Sequence, residues 1–357
     1  MKILLLREGE SSGQVADVQA RLRALGLDIE DRPGHFGPQT THAVRTFQQR
    51  RGLLADGILG PHTWAELVDA SWRLGDRALY LRHPLMRGDD VLTLQLRLNA
   101  LGFDAGREDG IFGPDTHRAV RAFQREYDVA EDGIVGPVSL EAVTGLRVER
   151  AGTAAVLREE IRLQDQPGIH RALIVVDPGH GGDDSGGIGP NALREADVCW
   201  DLARRVAERL IRAGARVRFT RTEVEGPDIN ERAARANDLG AHLFIALHLN
   251  SHDEGAARGS STYFFRGSRG GQRLAEAIQE QMVAIGLDDC RSHPQSYAVL
   301  KETRMPAVMV EPCFITNPAE AARLEHSAFR AAIADAIAGG VRAYFRRSEV
   351  RAATSAG

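Results

Sequence analysis

The sequence of 357 residues predicts two small all-α domains followed by a larger α/β domain. Three observations predict this organisation. The first 145 residues contain an internal repeat, each copy of the repeat has apolar residues at helical spacing, and from Arg171 onward short apolar runs alternate with amphipathic stretches. The last pattern is typical of a mostly parallel sheet with flanking helices.

The internal repeat aligns residues 13–68 with residues 89–144 without a gap, at an offset of 76. In the first copy, a helix with apolar residues at i, i+3, i+7 and i+10 ends at Gly26, a second helix begins at Pro38 and a short third helix begins at Pro61. The second copy repeats each signal. Each copy is therefore predicted to be a three-helix unit, in which most repeated residues are core and capping residues rather than ligand contacts.

The segments that the two copies share are LG, FGPxT, AVRxFQ and DGIxGP. They resemble the peptidoglycan-binding domain found beside many cell-wall hydrolases. The resemblance implies that residues 1–70 and 87–146 bind peptidoglycan. Residues 71–86 and 147–170 are expected to be linkers.

Composition and charge exclude several classes of protein. With 43% hydrophobic and 26% charged residues, the chain is expected to be soluble and globular, and a net charge of -4 with mixed signs would attract neither nucleic acid nor an anionic membrane. No run approaches the roughly 18 apolar residues of a membrane span. Three widely spaced cysteines, Cys199, Cys290 and Cys313, fit neither a disulfide framework nor a CxxC metal site, and are expected to be reduced core residues.

The apolar run near the N-terminus, residues 3–6, is shorter than the about 7 to 15 residues that a signal peptide needs. No export signal is therefore visible. We expect a cytoplasmic protein, or one that reaches the cell wall or the extracellular space by another route.

The α/β domain is predicted to span residues 171–346, followed by a disordered tail at residues 347–357. Its elements follow from the alternation of apolar runs and amphipathic stretches. The predicted strands are residues 173–176, 217–220, 243–247, 261–265 and 307–310, and the predicted helices are residues 195–213, 230–239, 270–285 and 319–344.

Four polar residues lie beyond the carboxyl ends of the predicted strands, where the active sites of such sheets are usually found. His180 follows the first strand, His248 and Glu311 each end a later one, and Glu195 opens the helix that returns from a glycine-rich loop. Two imidazoles and a carboxylate make a zinc first shell with a fourth position open, and a further carboxylate can move protons. We predict one zinc ion bound by His180, Glu195 and His248, with Glu311 as the acid/base.

Each of these residues alone has a simpler interpretation. A histidine after a strand is more often a hydrogen-bonded loop residue, and a glutamate opening a helix is usually a surface residue favoured by the helix dipole. The glycines of residues 179–189 also suggest phosphate binding, but the segment lacks both the GxGxxG and the GxxxxGK[ST] patterns. A nucleotide site is therefore rejected.

Five segments, VVDPGHGG, LREADV, ERAARAN, FIALHLNSH and MPAVMVEPCFITN, resemble the zinc-dependent N-acetylmuramoyl-L-alanine amidases of amidase type 3, in order and over about 175 residues. The resemblance implies that zinc is bound by His180, Glu195 and His248 and that Glu311 is the catalytic acid/base. Arg232 and Asn237 match family positions that we interpret as structural. His242, His252 and His293 are not expected to bind the metal.

One departure from the family concerns the residues after Glu311. The family usually has a small residue there, whereas this chain has Pro312 and Cys313. Zinc accepts sulfur readily, so Cys313 is either a competing ligand or a packed cysteine. We interpret it as packed.

The predicted function is zinc-dependent hydrolysis of the amide between N-acetylmuramic acid and L-alanine, with the repeats holding the enzyme on peptidoglycan or muropeptides. Two alternatives stay open. One is a cytoplasmic regulator or sensor of peptidoglycan precursor synthesis that uses the same fold, and the other is an endolysin-like enzyme released by lysis. The sequence assigns no substrate-binding residue and no oligomeric state.

Overall fold

The computed structural model describes residues 5–53, 55–146, 161, 166–252 and 255–355, with side chains described as far as residue 346. The chain divides into two compact units, Met1–Glu160 and Ile161–Gly357. Each unit is built around its own buried core.

The N-terminal unit contains the predicted three-helix arrangement twice. Proline occupies the first turn of the second and third helix of each copy, where a missing N–H costs nothing. Phe36 and Phe47 lie in the core of the first copy, and Phe112 and Phe123 in the core of the second. The helices are α1 (Gly13–Ala24), α2 (Pro38–Arg51), α3 (Pro61–Asp69), α4 (Asp89–Ala100), α5 (Pro114–Glu126) and α6 (Pro137–Gly145).

A buried glutamine on the first helix explains part of the repeated sequence. The side-chain amide of Gln19 donates hydrogen bonds to the carbonyl oxygen of His35 and to Oγ1 of Thr40, and its oxygen accepts one from the backbone of Gly34. Gln95 makes the equivalent contacts in the second copy. The glutamine thus satisfies backbone groups of the loop that would otherwise be buried without a partner.

A second buried glutamine fixes the Asp-Gly turn. The side chain of Gln48 donates to Oδ1 of Asp56 and to the carbonyl oxygen of Ile58, and it accepts from the backbone of Gly57. Gln124 repeats this pattern in the second copy. These contacts give the repeated polar residues a structural role, as the sequence analysis expected.

The segment between the copies, which we expected to be a linker over residues 71–86, packs against the second copy. Leu79 and Met86 are buried in the core of that copy, and Leu79 pairs with Val135 through two backbone hydrogen bonds. These residues are therefore part of the second copy's packing.

The C-terminal unit is a six-stranded sheet with helices on both faces. Within the described residues, the strand order is β2-β1-β3-β6-β4-β5, in which β4 is antiparallel to β6 and every other neighbouring pair is parallel. The predicted mostly parallel α/β fold is thus confirmed. The strands are β1 (Leu173–Pro178), β2 (Arg216–Phe219), β3 (Leu243–Leu247), β4 (Ser260–Phe265), β5 (Asp289–Gln295) and β6 (Ala307–Glu311).

The helices of this unit pack against the sheet through buried aliphatic residues. A 3-10 turn at Ile169–Arg171 precedes the first strand. The helices are α7 (Glu195–Arg212), α8 (Ile229–Asp238), α9 (Arg269–Ala284), α10 (Ala298–Glu302), α11 (Pro318–Glu325) and α12 (Ser327–Ser355).

Four features differ from the sequence-based expectations, and one of them is the short helix α10, where no element was predicted. The strand Asp289–Gln295 was missed because its sequence, DCRSHPQ, is polar and contains proline, which suits only an edge strand. The single helix expected over residues 319–344 is two helices, because His326 adopts an extended backbone between them. Finally, α12 continues to Ser355, past the expected start of a disordered tail at residue 347, since the intervening sequence contains helix-forming alanine, glutamate and arginine and no proline or glycine.

Most of the predicted linker at residues 147–170 lies outside the described residues. Its last part packs against the sheet of the C-terminal unit. There the side-chain amide of Gln166 donates a hydrogen bond to the carbonyl oxygen of His242 and accepts one from the hydroxyl of Tyr344. Among the described residues, we find no helix with the length and apolar character needed to cross a membrane.

Candidate metal centre

The candidate site lies at the carboxyl ends of three neighbouring strands. His180 follows β1 by two residues, His248 directly follows β3, and Glu311 is the last residue of β6. Glu195 is the first residue of α7 and faces back toward the same edge. The strand order β1-β3-β6 thus brings together the four residues that the sequence analysis selected.

Three of these side chains converge on one point. Oε1 of Glu195 lies 3.0 Å from Nε2 of His180 and 3.2 Å from Nδ1 of His248. One ligand atom from each residue falls within 4.8 Å of the others. Donor atoms bound to one tetrahedral zinc ion are about 3.3 Å apart, so the three side chains have a spacing and a chemistry that fit this metal.

Glu195 is held as a buried carboxylate. Burial alone would raise its pKa, but hydrogen bonds and charge interactions with His180 and His248 outweigh that effect, so the pKa of Glu195 lies well below its usual range. The backbone N–H groups of Gly187 and Leu249 also donate to it. A buried negative charge stabilised in this way is suited to binding a cation.

His180 is oriented by a residue that sequence reasoning missed. Its Nδ1 lies 2.8 Å from Oδ2 of Asp184, which leaves Nε2 directed at Glu195. Burial lowers the pKa of His180, but the neighbouring carboxylates Glu195 and Asp184 raise it to about 9. A carboxylate behind a histidine is a common support for a metal ligand. The only available signal was the position of Asp184 four residues after His180.

The glycines around the site are explained by close approach rather than by phosphate binding. Gly186 has a φ of 63°, and a Cβ added there would lie 2.6 Å from Cδ2 of His180. A Cβ at Gly179 would lie 2.5 Å from Cε1 of His248. Both contacts are far below van der Waals distance, so the loop can wrap the two histidines only because it lacks side chains at these positions.

Arg232 and Asn237, interpreted as structural from the sequence, form internal contacts. Arg232 is buried; its Nη1 donates to Oδ1 of Asp177 over 2.8 Å and its Nη2 donates to the carbonyl oxygen of His180 over 2.6 Å. Asn237 donates to the carbonyl oxygen of Glu302. Arg232 therefore fixes the loop that carries a candidate ligand, and Asn237 fixes α8 to the last residue of α10.

Glu311 lies beside the three converging residues. Burial raises its pKa to about 7, with a further contribution from the negative charge of Glu195, while His248 and a hydrogen bond from Tyr263 act in the opposite direction. Tyr263 reaches Glu311 from β4, the strand paired antiparallel with β6. Tyr263 could not be predicted as a site residue, because nothing in the sequence shows that β4 lies beside β6.

Cys313 is fully buried among aliphatic residues, as expected for a packed cysteine. Burial raises the pKa of its thiol far above the usual range, so the sulfur stays protonated. The three histidines set aside in the sequence analysis make other contacts. Nδ1 of His242 accepts from the backbone of Leu173, Nε2 of His293 lies 2.6 Å from the carbonyl oxygen of Cys290, and the backbone of His252 donates to Thr316.

Comparison with known proteins identifies both units. A family model described as N-acetylmuramoyl-L-alanine amidase matches residues 174–343, and a model of a peptidoglycan binding domain matches residues 11–67 and 87–143. The chain is 42% identical over 360 residues to N-acetylmuramoyl-L-alanine amidase CwlM of Mycobacterium tuberculosis, covering 94% of this chain and 88% of that protein. Over 176 residues it is 36% identical to the amidase LytC of Bacillus subtilis, covering 48% of this chain and 35% of LytC.

Among solved structures, N-acetylmuramoyl-L-alanine amidase AmiC2 of Nostoc punctiforme is similar to 49% of this chain and 98% of its own, with 30% identity and a TM-score of 0.47.

Proposed function

Because the chain belongs to the N-acetylmuramoyl-L-alanine amidase family, we propose that it hydrolyses the amide between N-acetylmuramic acid and L-alanine with the help of one zinc ion. The observation that carries this proposal is the convergence of His180 and His248 on the buried carboxylate of Glu195, with Glu311 beside them. His180, Glu195 and His248 are the proposed ligands. A zinc ion held there supplies a Lewis acid for the scissile carbonyl and for the attacking water.

Glu311 is the proposed acid/base. As water attacks the carbonyl carbon, the carboxylate of Glu311 takes a proton from it, and it passes that proton to the amide nitrogen as the bond to L-alanine breaks. The products are the carboxyl group of muramic acid, which loses its remaining proton to the amine or to solvent, and a peptide with a free L-alanine amino group. A pKa near 7 suits both halves of this transfer, because the group gains and loses a proton with little cost near neutral pH.

The two N-terminal repeats are proposed to bind the polymeric substrate, within residues 1–70 and 87–146. The match of both copies to a peptidoglycan binding domain supports this role. Holding the catalytic unit on the polymer raises its effective concentration near scissile bonds.

The test is hydrolysis by the purified chain. Incubated with zinc and peptidoglycan, it should release peptides with new L-alanine amino termini, detected by amine labelling and mass spectrometry. A chelator should stop the release and added zinc should restore it. Failure of folded, zinc-loaded protein to release any such peptide, from either intact peptidoglycan or soluble muropeptides, would overturn the proposal.

A further inference from the structure

Arg221 is a buried arginine in the loop after β2, close to the loop that carries His180. It follows the last residue of β2 by two positions, and only 3% of its surface is exposed. Nε of Arg221 donates a hydrogen bond to the carbonyl oxygen of Pro178 over 2.9 Å, and Nη2 donates to that of Gly179 over 3.0 Å. These two residues directly precede His180, so Arg221 fixes the backbone that leads into this proposed ligand.

The same guanidinium also binds the helix that carries Glu195. Its Nη2 donates to the carbonyl oxygen of Ala196 over 3.1 Å, and Ala196 directly follows Glu195 in the first turn of α7. Nη1 donates to the carbonyl oxygens of Thr222 and Glu223 in the loop of Arg221 itself. One side chain thus links the segment before His180 to the start of α7.

All of these hydrogen bonds are to backbone carbonyl oxygens. Among the described residues, Arg221 forms no salt bridge with a carboxylate, so its buried charge is stabilised by the oxygens of the segments that it joins. Arg232 differs, because it pairs with Asp177, and none of its hydrogen bonds within the described part of the chain reaches α7. Arg221 therefore joins two ligand-bearing segments, whereas Arg232 holds one.

Packing keeps the side chain of Arg221 in place. Its guanidinium carbon lies 5.5 Å from the ring centroid of Trp200, and that ring packs 5.3 Å from the ring of Phe219 on β2. Gly181 has a φ of 117°, and a Cβ added there would lie 2.8 Å from Cδ of Arg221. The loop after His180 can approach Arg221 this closely because glycine stands at that position.

We propose that Arg221 is a positioning residue that sets the spacing between His180 and Glu195 before a metal ion binds. The inference rests on the proposed function, since it takes these two residues as metal ligands. Their side chains lie 3.0 Å apart, between Nε2 of His180 and Oε1 of Glu195, although the residues come from different segments. Fixing both segments to one guanidinium lowers the conformational entropy that is lost when the ligands come together on a metal ion.

The test compares the wild-type chain with Arg221→Lys and with the control Arg209→Lys. A lysine ammonium is too compact to reach all three segments, so zinc affinity in Arg221→Lys should weaken by about 10- to 100-fold, measured against a competing chelator. The control matches in chemistry: Arg209 is also on α7 and donates to the carbonyl oxygens of Arg205 and Ala331 and to Asp335. Because these contacts do not involve the ligand-bearing segments, its zinc affinity should stay within about twofold of the wild type.

Hydrogen exchange of the metal-free protein gives a second measurement, which needs neither zinc nor substrate. The backbone amides of Gly187 and Leu249 both donate to the carboxylate of Glu195. In Arg221→Lys these amides should exchange faster, because the start of α7 is no longer fixed to the loop before His180. A general loss of stability would instead speed exchange throughout the unit. Arg209→Lys should leave these two amides unchanged.

The outcomes separate this inference from the proposed function. If the wild type binds zinc with an affinity that depends on Arg221 but cleaves no peptidoglycan, the proposed function fails and the positioning role stands. If the wild type cleaves peptidoglycan and Arg221→Lys has the same zinc affinity and amide exchange, the positioning role is wrong. Equal weakening of zinc binding in Arg221→Lys and Arg209→Lys would also overturn it.

A milder variant keeps the inference testable if Arg221→Lys does not fold. Trp200→Leu removes the aromatic ring beside the guanidinium but leaves every hydrogen bond of Arg221 available. Zinc affinity should then weaken by about two- to fivefold, the size expected for the loss of one cation–π contact. Unchanged zinc affinity in folded Trp200→Leu would contradict the positioning role.

Discussion

Nη2 of Arg232 donates a hydrogen bond to the carbonyl oxygen of His180 over 2.6 Å, while Nη1 of the same guanidinium binds Oδ1 of the buried Asp177 over 2.8 Å. His180 has a φ of 57°, a left-handed conformation that is uncommon outside glycine. Arg232 is thus a positioning residue, because it holds the backbone of a proposed ligand in a conformation the chain would not otherwise favour.

The first prediction concerns Arg232→Lys. A lysine ammonium lacks the planar fork that lets arginine reach two acceptors at once, so the loop at His180 should loosen. Loss of such support typically weakens metal binding by about 10- to 100-fold. A zinc titration against a competing chelator measures the change. Arg218→Lys, on the exposed edge strand β2, is the control and should leave zinc affinity unchanged; an Arg232→Lys protein with wild-type affinity would contradict the positioning role.

The second prediction concerns Glu311→Gln. The glutamine has nearly the same shape but cannot accept a proton, so kcat on a soluble muropeptide should fall by about 10²- to 10⁴-fold. Bound zinc, measured by elemental analysis, should stay at one ion per chain because Glu311 lies outside the converging group. Activity within threefold of the wild type would show that another group moves the proton, whereas loss of zinc would show that Glu311 acts as a ligand.

Much of this site could be predicted because strand ends are local features of the sequence. His180, His248 and Glu311 follow apolar runs, and parallel strands bring such positions to one edge of the sheet. Asp184 and Tyr263 could not be found in this way. The contact of Asp184 depends on how the glycine-rich loop turns, and that of Tyr263 depends on β4 running antiparallel beside β6.

The same distinction holds for the N-terminal repeats. The copies were visible because Gln19 and Gln48 recur as Gln95 and Gln124, but only the structure shows what these amides bind. The sequence does not show that Leu79 packs in the core of the second copy, because its backbone partner Val135 lies far along the chain.

The third prediction concerns one of these glutamines. Gln124→Met keeps the approximate volume but leaves the buried N–H of Gly133 and the carbonyl of Ile134 without their partner. An unsatisfied buried polar group costs about 1 to 3 kcal/mol, so the unfolding transition of the N-terminal unit should move to lower denaturant concentration. Gln49→Met, on the exposed surface of α2 in the same unit, is the control. An unchanged midpoint would mean that water or a shifted loop replaces these bonds.

The fourth prediction concerns the hydrogen bond between Tyr263 and Glu311. It stabilises the carboxylate and so lowers the pKa of Glu311, which means that Tyr263→Phe should raise that pKa. Since the base must be ionised to act, kcat/KM rises with pH through the pKa of Glu311, and in the variant this rise should occur at higher pH. Tyr297→Phe is the control, because Tyr297 packs against the ring of Tyr263 and has no described hydrogen bond to Glu311. Superimposable pH profiles for wild type and Tyr263→Phe would contradict the assignment.

The last prediction concerns protons released when zinc binds. In protein stripped of metal, Glu195 and Asp184 raise the pKa of His180 to about 9, so at pH 7 its imidazole carries a proton that zinc must displace. Calorimetry at pH 7 in buffers of different ionisation enthalpy should therefore give about one proton released per zinc, and zinc affinity should rise with pH until about pH 9.

The raised pKa of His180 also determines how the stability of the stripped protein depends on pH. Because the folded pKa of His180 exceeds its unfolded value of about 6.5, protonated His180 stabilises the stripped protein fully below pH 6.5, and this contribution is lost as the pH rises through 9. This pH dependence should disappear in His180→Gln. The melting temperature of the stripped variant should therefore change less between pH 6.5 and 9 than that of the stripped wild type. Zinc binding without proton release at pH 7 would mean that His180 is already neutral and that the ion pair with Glu195 does not form in solution.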